Sequence, residues 1–514
     1  MKTMTALSAQ SPFPDGRRIP FGILCARKLP LVVLVTVASC ILLFAFYGFP
    51  IPDGDAAYYW PPMLAMAKTG ELINDFSTEI RTFDPAGHNR LVYHGYLYPL
   101  LVGKIIWKAD YGAIALLVAL INVVTLSATT FLLLIVSYAG RVRIPLREAI
   151  TISVAIPACA VTLMGHSGRA ETLGAPILVL AMIGILCLER RWHVIILGVV
   201  IGLLVGTHPM GCILTAAVVA FRVFYSMQFW DGIRFLCKVV LLGVAIWGAT
   251  FALYPYSLHD WLVGLLQNGR NVLPPSESES SRLWSAWITS PGATAYGLIY
   301  MLAGIAGGYS LVRGWRSMKC RIPCFVCGLL LVAAVVNYGF RNPGQNSTLL
   351  LFAPLVICFV VWNNARWSVY SGSVRFLWGA VTACCLFAAA AGFMRTSLLF
   401  PYYLKDGLGR EAGKREFAAV REKYGGSIQL SSGLFSLTDD YQHVNDAENG
   451  NGAKYETMVL QQANHGLLVP PTIDGYELVK HQFSSVQPRL FGLKLGNTVG
   501  GYNFAVYRLK GGSH

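Results

Sequence analysis

Charge is what this sequence has least of. Asp, Glu, Lys and Arg make up only 13% of its 514 residues, against 55% hydrophobic, where soluble domains carry about 25% charged residues. That shortage argues against an ordinary soluble enzyme. Cysteine is missing wherever a disulfide framework would need it: none lies in 50–110 or after Cys385, and all 12 sit in or near apolar runs. Internal repeats are lacking, as are the paired, interrupted apolar segments that mark many transporters. The net charge of +15, from 41 basic and 26 acidic residues, does not describe a nucleic-acid partner, because the cations are scattered in small groups between apolar runs. Short loops on the cytoplasmic side of a membrane explain it better.

What the chain has in quantity is long hydrophobic runs. Eleven are expected to span a bilayer, at approximately 29–49, 111–138, 147–165, 171–188, 194–209, 210–226, 238–256, 293–312, 322–339, 347–364 and 375–394, each close to the ~20 residues a crossing needs. With the 1–28 tail inside, the cytoplasmic loops collect Arg141, Arg143, Arg190, Arg191, Arg234, Arg313, Arg316, Lys319 and Arg321. The short outer loops hold little beyond Arg169 and Arg341. That asymmetry is the positive-inside rule. It depends on splitting 194–226 in two at Thr207-His208-Pro209, since a single bent passage would invert every later loop. Val37-Ala38-Ser39-Cys40 resembles a lipoprotein cleavage box, but the apolar run continues past it, so an uncleaved anchor is expected.

The expected fold is a polytopic α-helical membrane protein of about 11 transmembrane helices with a small C-terminal α/β soluble domain. The divisions are a cytoplasmic tail 1–28, a transmembrane domain 29–394 with a long first outer loop 50–110, and an outward-facing domain 395–514. In that last part 426–437 and 502–509 read as strands, and 413–424 and 453–463 as helices. The expected location is a bacterial inner membrane, with the C-terminal domain periplasmic.

Acids are costly in lipid and mark function there. Asp53 and Asp55 stand where the first run emerges into water, followed by Tyr58 and Tyr59. The topology puts Tyr93-His94-Gly95-Tyr96-Leu97-Tyr98, Arg169-Ala170-Glu171, His208 and Arg341 on that same face. Each has a plainer reading: a solvated cap at Asp53, a local Arg169–Glu171 pair at a helix start, a tight turn at His208-Pro209, an aromatic belt at 93–98, a headgroup anchor at Arg341. Cys320, Cys324 and Cys327 have metal-like spacing but no His partner, and read as membrane cysteines.

Together these residues fit transfer of a sugar from a lipid phosphate. A phosphate leaving group is already a stable anion, so one carboxylate suffices as the base for an acceptor hydroxyl, while cations stabilise the departing charge. Glycoside hydrolysis usually needs two flanking carboxylates instead. A transporter or lipid flippase is the competing reading; it calls for charges near the middle of spans, whereas here they gather at one mouth. A polymerase or ligase of lipid-linked glycans is a third, and usually has a large late outer loop, where 256–291 is modest.

The order of motifs resembles a family. A first span leads to an outer loop opening with Asp and running to Tyr58-Tyr59 and Lys68-Thr69-Gly70. Arg169-x-Glu171, Thr207-His208-Pro209-x-Gly211, and Arg341 before a span with Ala353-Pro354 follow. This looks like the GT-C glycosyltransferases, the type that includes protein O-mannosyltransferases and bacterial aminoarabinose transferases. The resemblance covers about 29–365. It implies inverting transfer from a polyprenyl-phosphate sugar to a glycan, lipid or protein acceptor, in a cavity on the outer side. Asp55 aligns with the family's first-loop acid and Glu171 with the acid of the second outer loop. Many members carry a second acid directly after the first, where this chain has Ala56; Asp53 substitutes, or one acid is enough. The expected catalytic set is therefore Asp55, Asp53 and Glu171. Arg341, Arg169 and His208 are expected on the donor phosphate, with Tyr58, Tyr59, His94 and Tyr98 on substrate. No cofactor is assigned, and a divalent cation is the one the chemistry leaves room for.

Overall fold

A computed structural model of the protein describes residues 29–45, 56–73, 95–139, 168–188, 190–208, 228–263, 410–425, 428–438, 444–446, 455–461, 469–473, 475–482, 485–486, 489–494, 499–500 and 502–510, with single positions at 156, 157, 159, 160, 163, 212, 372 and 376. The expected spans 293–312, 322–339, 347–364 and nearly all of 375–394 and 210–226 lie outside them.

The apolar runs that the described residues cover are helices: α1 Leu29–Ala45, α4 Tyr111–Ala139, α5 Glu171–Cys187, α6 His193–Thr207 and α7 Phe229–Phe251. Two more, α2 Ala56–Thr69 and α3 Leu97–Ile105, form in the long first loop. Among the described residues, the segments Tyr111–Leu134 and Phe229–Phe251 are long and apolar enough to cross a membrane, while α1, α5 and α6 are shorter apolar helices. Leu34, Ile41, Val124, Leu241 and Val244 are exposed on them, the sort of apolar surface that asks for a nonaqueous partner. α7 begins at Phe229 and ends at Phe251, not at the expected 238 and 256. Its polar first turns, with Asp231 and Arg234 paired at 3.6 Å, are helical without being apolar. Tyr254-Pro255 stops the far end, because proline cannot continue the ladder.

Packing fixes the directions. Thr36 meets Thr130 at 3.1 Å and Cys40 hydrogen-bonds Ser127, so α1 and α4 are antiparallel. α5 and α6 are antiparallel too: Gly184 faces Ile196 and Glu171 faces His208. α6 and α7 run side by side and parallel, with Gly198 against Leu242 and Gly202 against Ile246. The last turn of α6 and the first turn of α7 therefore lie at opposite ends of the pair. The expected split at His208-Pro209 falls on a stretch, 209–227, of which only Cys212 is described.

The N-terminal ends of α4 and α5 and the C-terminal ends of α6 and α7 thus gather at one end. α2 and α3 cover it. They cross closely, since a Cβ on Gly103 would lie 2.7 Å from the Met63 carbonyl. Asp110 caps α4, its Oδ1 accepting from the Ala113 amide at 2.7 Å. Burial pushes its carboxyl up. The Lys108 ammonium, the Ala113 amide and the Arg410 charge outweigh that and hold it below its ordinary value.

The C-terminal region opens with α8, Arg410–Tyr424, and continues into a six-stranded sheet. Its strands are β1 Ile428–Leu430, β2 Val444–Asp446, β3 Thr457–Gln461, β4 Thr472–Ile473, β5 Tyr476–Gln482 and β10 Phe504–Leu509, in the order β2-β1-β3-β10-β5-β4. β1 is parallel to β2 and β3, and the other pairings are antiparallel. Two small pairs lie outside this sheet, β6 Ser485–Val486 with β9 Val499–Gly500 and β7 Arg489–Leu490 with β8 Leu493–Lys494. The helix at 413–424 and the strand at 502–509 are where the sequence puts them. Two expectations fail. The strand at 426–437 lasts three residues before Ser431-Ser432-Gly433 turn it into a 3-10 helix, Ser432–Leu437. The helix expected at 453–463 is β3, because its Thr457, Met458 and Val459 fill the centre of the sheet and tertiary pairing outweighs helix propensity.

One hydrophobic core joins this region to the helical part. Tyr59, Trp60, Met63 and Leu64 of α2, Tyr98 and Val102 of α3, and Tyr111 and Ile114 of α4 share it with Phe417, Leu434, Phe435 and Phe504. Phe435 stands edge-on to both Trp60 and Tyr111, at 6.1 and 5.3 Å. The Arg410 Nε donates to the Ser436 carbonyl at 2.9 Å.

The α6–α7 contact predicts its own sensitivity. A Cβ at Gly202 would meet the Gly243 carbonyl at 2.6 Å, whereas nothing lies within 4 Å at Gly248. Gly202→Val is expected to cost roughly 1–3 kcal/mol by overpacking and to lower the thermal midpoint in detergent. Gly248→Ala should leave it unchanged, and equal midpoints for the two variants would contradict the parallel packing.

Candidate functional site

The site is built where helix ends meet. Glu171 is the first residue of α5, and its carboxylate faces the amide-rich, positive end of that helix. His208 follows the last residue of α6 in extended conformation (φ −156°, ψ 105°), its amide closing onto the Leu204 carbonyl. An imidazole there stands at the negative end of its helix. Because α5 and α6 are antiparallel, these opposite poles lie side by side.

His208 Nε2 is 3.3 Å from Glu171 Oε1, and Arg169 Nε donates to Glu171 Oε2 at 3.4 Å. Each carboxylate oxygen is thus engaged by a different cationic or potentially cationic group. Both distances exceed the ~2.8 Å of tight charge-assisted bonds, so the cluster is a loose clasp. Glu171 and His208 side chains are nearly buried, at 6% and 8% exposure, while Arg169 retains 21%. Of the three, Arg169 is the one best placed to meet a ligand from solvent. The cluster is formally neutral with a neutral imidazole and gains one positive charge when His208 is protonated.

Aromatic residues of the first loop close around it. Gly95 passes so near that a Cβ there would lie 3.2 Å from both the Ala170 Cβ and the Thr207 carbonyl, and 3.4 Å from the Tyr59 ring. Tyr59 and Tyr98 stack with ring centroids 5.9 Å apart and tilted by 57°. Tyr98 is fully buried and Tyr59 nearly so, so both sit in the wall.

Five of the expected site residues therefore come together at one end: Arg169, Glu171, His208, Tyr59 and Tyr98. Tyr58 lies in the first turn of α2. Asp53, Asp55, His94 and Arg341 lie outside the described residues. The plainer reading of Arg169 is partly right, since it does pair with Glu171, but the pair also holds His208. Missing from the expected set is Tyr96, which is fully buried. Its ring centroid is 4.6 Å from that of Tyr254, and its ring would touch a Cβ on Gly206 at 3.0 Å. Its only signal in the sequence is membership of the Tyr93–Tyr98 aromatic run. Among the described residues no group of three or more His, Cys, Asp or Glu is arranged to hold a metal; Glu171 and His208 supply two such side chains.

No protein-family model matches the sequence, and no curated protein does. The chain is similar in structure to the archaeal oligosaccharyltransferase AglB from Archaeoglobus fulgidus, solved in complex with an inhibitory peptide and a dolichol-phosphate. The overlap covers 84% of this chain and 69% of that one, at 12% identity and a TM-score of 0.45. Similarity of that degree leaves activity to be read from the residues themselves.

The clasp makes a thermodynamic prediction. Removing the carboxylate leaves Arg169 and His208 close together in a nearly buried setting, and Glu171→Ala is expected to cost about 3 kcal/mol or more. In a double-mutant cycle Glu171→Gln and His208→Gln should be coupled by roughly 0.5–3 kcal/mol, read from denaturation in detergent. Strict additivity would show that the two side chains do not interact.

Proposed function

We propose that the protein is an integral-membrane glycosyltransferase that moves a sugar from a polyprenyl-phosphate donor to a cell-envelope acceptor, with inversion at the anomeric carbon. The observation that carries this reading is the meeting of Arg169, Glu171 and His208 at the end covered by the first-loop helices. Asp55 immediately precedes Ala56, the buried first residue of α2, whose core also holds Tyr59 and Ala170.

In this reading Asp55 takes the proton from the acceptor hydroxyl as its oxygen attacks the anomeric carbon. The bond from that carbon to the phosphate oxygen breaks, and the polyprenyl phosphate leaves with the electron pair. Arg341 and the exposed edge of Arg169 stabilise the charge that builds there, where preorganised donors are most effective. Both oxygens of Glu171 are already engaged, so its role is to hold Arg169 and His208 in place for the phosphate. Asp53 assists at the loop. Tyr58, Tyr59 and His94 line the sugar and acceptor path, with Tyr98 behind them. Whether a divalent cation joins depends on Asp53 and Asp55, since Ala56 supplies no ligand. The site end faces outward, the C-terminal region with it, in a bacterial inner membrane. A transporter would need charges along the spans, and the described clasp lies at their ends.

Turnover of a polyprenyl-phosphate sugar by the purified, reconstituted chain tests the assignment. Asp55→Asn is expected to lower kcat by roughly 10²–10⁴-fold, the usual worth of a general base, with donor affinity retained. Arg341→Ala should weaken donor use. Transfer by Asp55→Asn at near wild-type rate would remove the proposed base, and unchanged donor kinetics in Arg341→Ala would remove the phosphate ligand.

A further inference from the structure

The hairpin β7–β8 carries a feature that neither the proposed reaction nor the packing of the sheet uses. Its strands pair in the register Arg489↔Lys494 and Leu490↔Leu493, leaving Phe491-Gly492 as a two-residue turn. Both turn residues have positive φ, 49° and 83°, the geometry of the tightest hairpins. Glycine suits it. Phe491 does not, and among the described residues it is the one non-glycine side chain with positive φ. A left-handed conformation at such a residue is sterically unfavourable, and among the described residues its side chain gains no burial in return. Phe491 is 96% exposed and Leu493 73% exposed.

The flanking charges add to the puzzle. Arg489 and Lys494 are both exposed and directly opposite one another, where like charges repel. A bulky aromatic at positive φ, two apolar side chains in water, and a facing pair of cations each weaken an isolated hairpin. At a lipid interface the exposed apolar side chains and the facing cations become favourable, and that gain offsets the strain of the turn. Aromatic rings settle at headgroup depth, leucine enters the acyl boundary, and Lys and Arg lay their stems on apolar surface while their charges reach phosphates.

We propose that the β7–β8 hairpin is a membrane-docking finger, in which Phe491 and Leu493 enter the leaflet interface and Arg489 and Lys494 meet anionic lipid headgroups. The C-terminal region shares its core with α2, α3 and the first turns of α4, so it is already held at the end of a helix long and apolar enough to cross the bilayer. A protein partner fits less well. The two apolar side chains offer on the order of 300 Å², below the ~800 Å² that each side of a stable protein interface contributes. A second copy of the hairpin would set four cations against one another. Docking the finger fixes the sheet against the bilayer from a second point, besides the core around Phe435.

The test uses the full chain in phosphatidylglycerol-containing nanodiscs. Phe491→p-benzoylphenylalanine is photolysed and its adducts identified by mass spectrometry, beside Glu477→p-benzoylphenylalanine as an exposed control on β5. The proposal expects phospholipid adducts at 491 several-fold above those at 477, falling several-fold when phosphatidylglycerol is replaced by phosphatidylcholine. An unchanged thermal midpoint shows that the fold is intact. Adducts confined to protein, lipid adducts no more frequent than at the control, or a yield indifferent to lipid charge would overturn it. Sugar transfer is read on the same sample, so failure of the finger is distinguishable from failure of the proposed reaction.

Discussion

Two helix ends of opposite polarity lie side by side, and the contact of Glu171 with His208 depends on that. A carboxylate is expensive to bury, and so is a cation. The antiparallel α5–α6 pair places the acid on the positive pole of one helix and the imidazole on the negative pole of the next, and Arg169 completes the clasp. The poles alone are worth a few tenths of a kcal/mol to about 1 kcal/mol each. Their larger effect is geometric. They bring ionisable groups together at the end of apolar helices with Glu171 and His208 nearly buried, where electrostatic interactions are stronger than in water.

The same end is closed by chain that is distant in sequence. α2 and α3, the turn before α5, the end of α6 and the segment after α7 meet there, with the Tyr256 hydroxyl donating to the Leu72 carbonyl at 2.9 Å. The 3-10 helix of the C-terminal region presses Phe435 between Trp60 and Tyr111. The C-terminal sheet and the mouth of the helical part therefore share one core. A change at Phe435 or Trp60 would be felt at the first turn of α2, which follows the proposed base Asp55 in sequence.

Much of this was legible in the sequence where hydrophobicity decides structure. Among the described residues the apolar runs are helices, and Arg169, Glu171, His208, Tyr59 and Tyr98, which loop charge puts on one face, meet at one end. The split at His208-Pro209 follows from the same argument, and the residues that follow it lie almost wholly outside the described ones. Hydropathy failed where helix and apolar stretch are not the same thing, as at the polar start of α7. It also failed at 453–463, whose residues could serve either a helix or a strand until β1 and β10 flank them. The joint between the C-terminal region and α2 was invisible, because long-range packing leaves no local period. Tyr96 escaped for a similar reason: its partners Thr250 and Tyr254 lie in another helix end.

A lipid-phosphate sugar is the molecule proposed for this mouth. Mass spectrometry of the lipids that co-purify with the protein addresses that most directly, since a donor held as proposed should survive gentle extraction. A polyprenyl-phosphate sugar is the expected lipid, depleted when Arg341 is replaced by Ala. A bound solute with no such lipid, in wild type and variant alike, would contradict it.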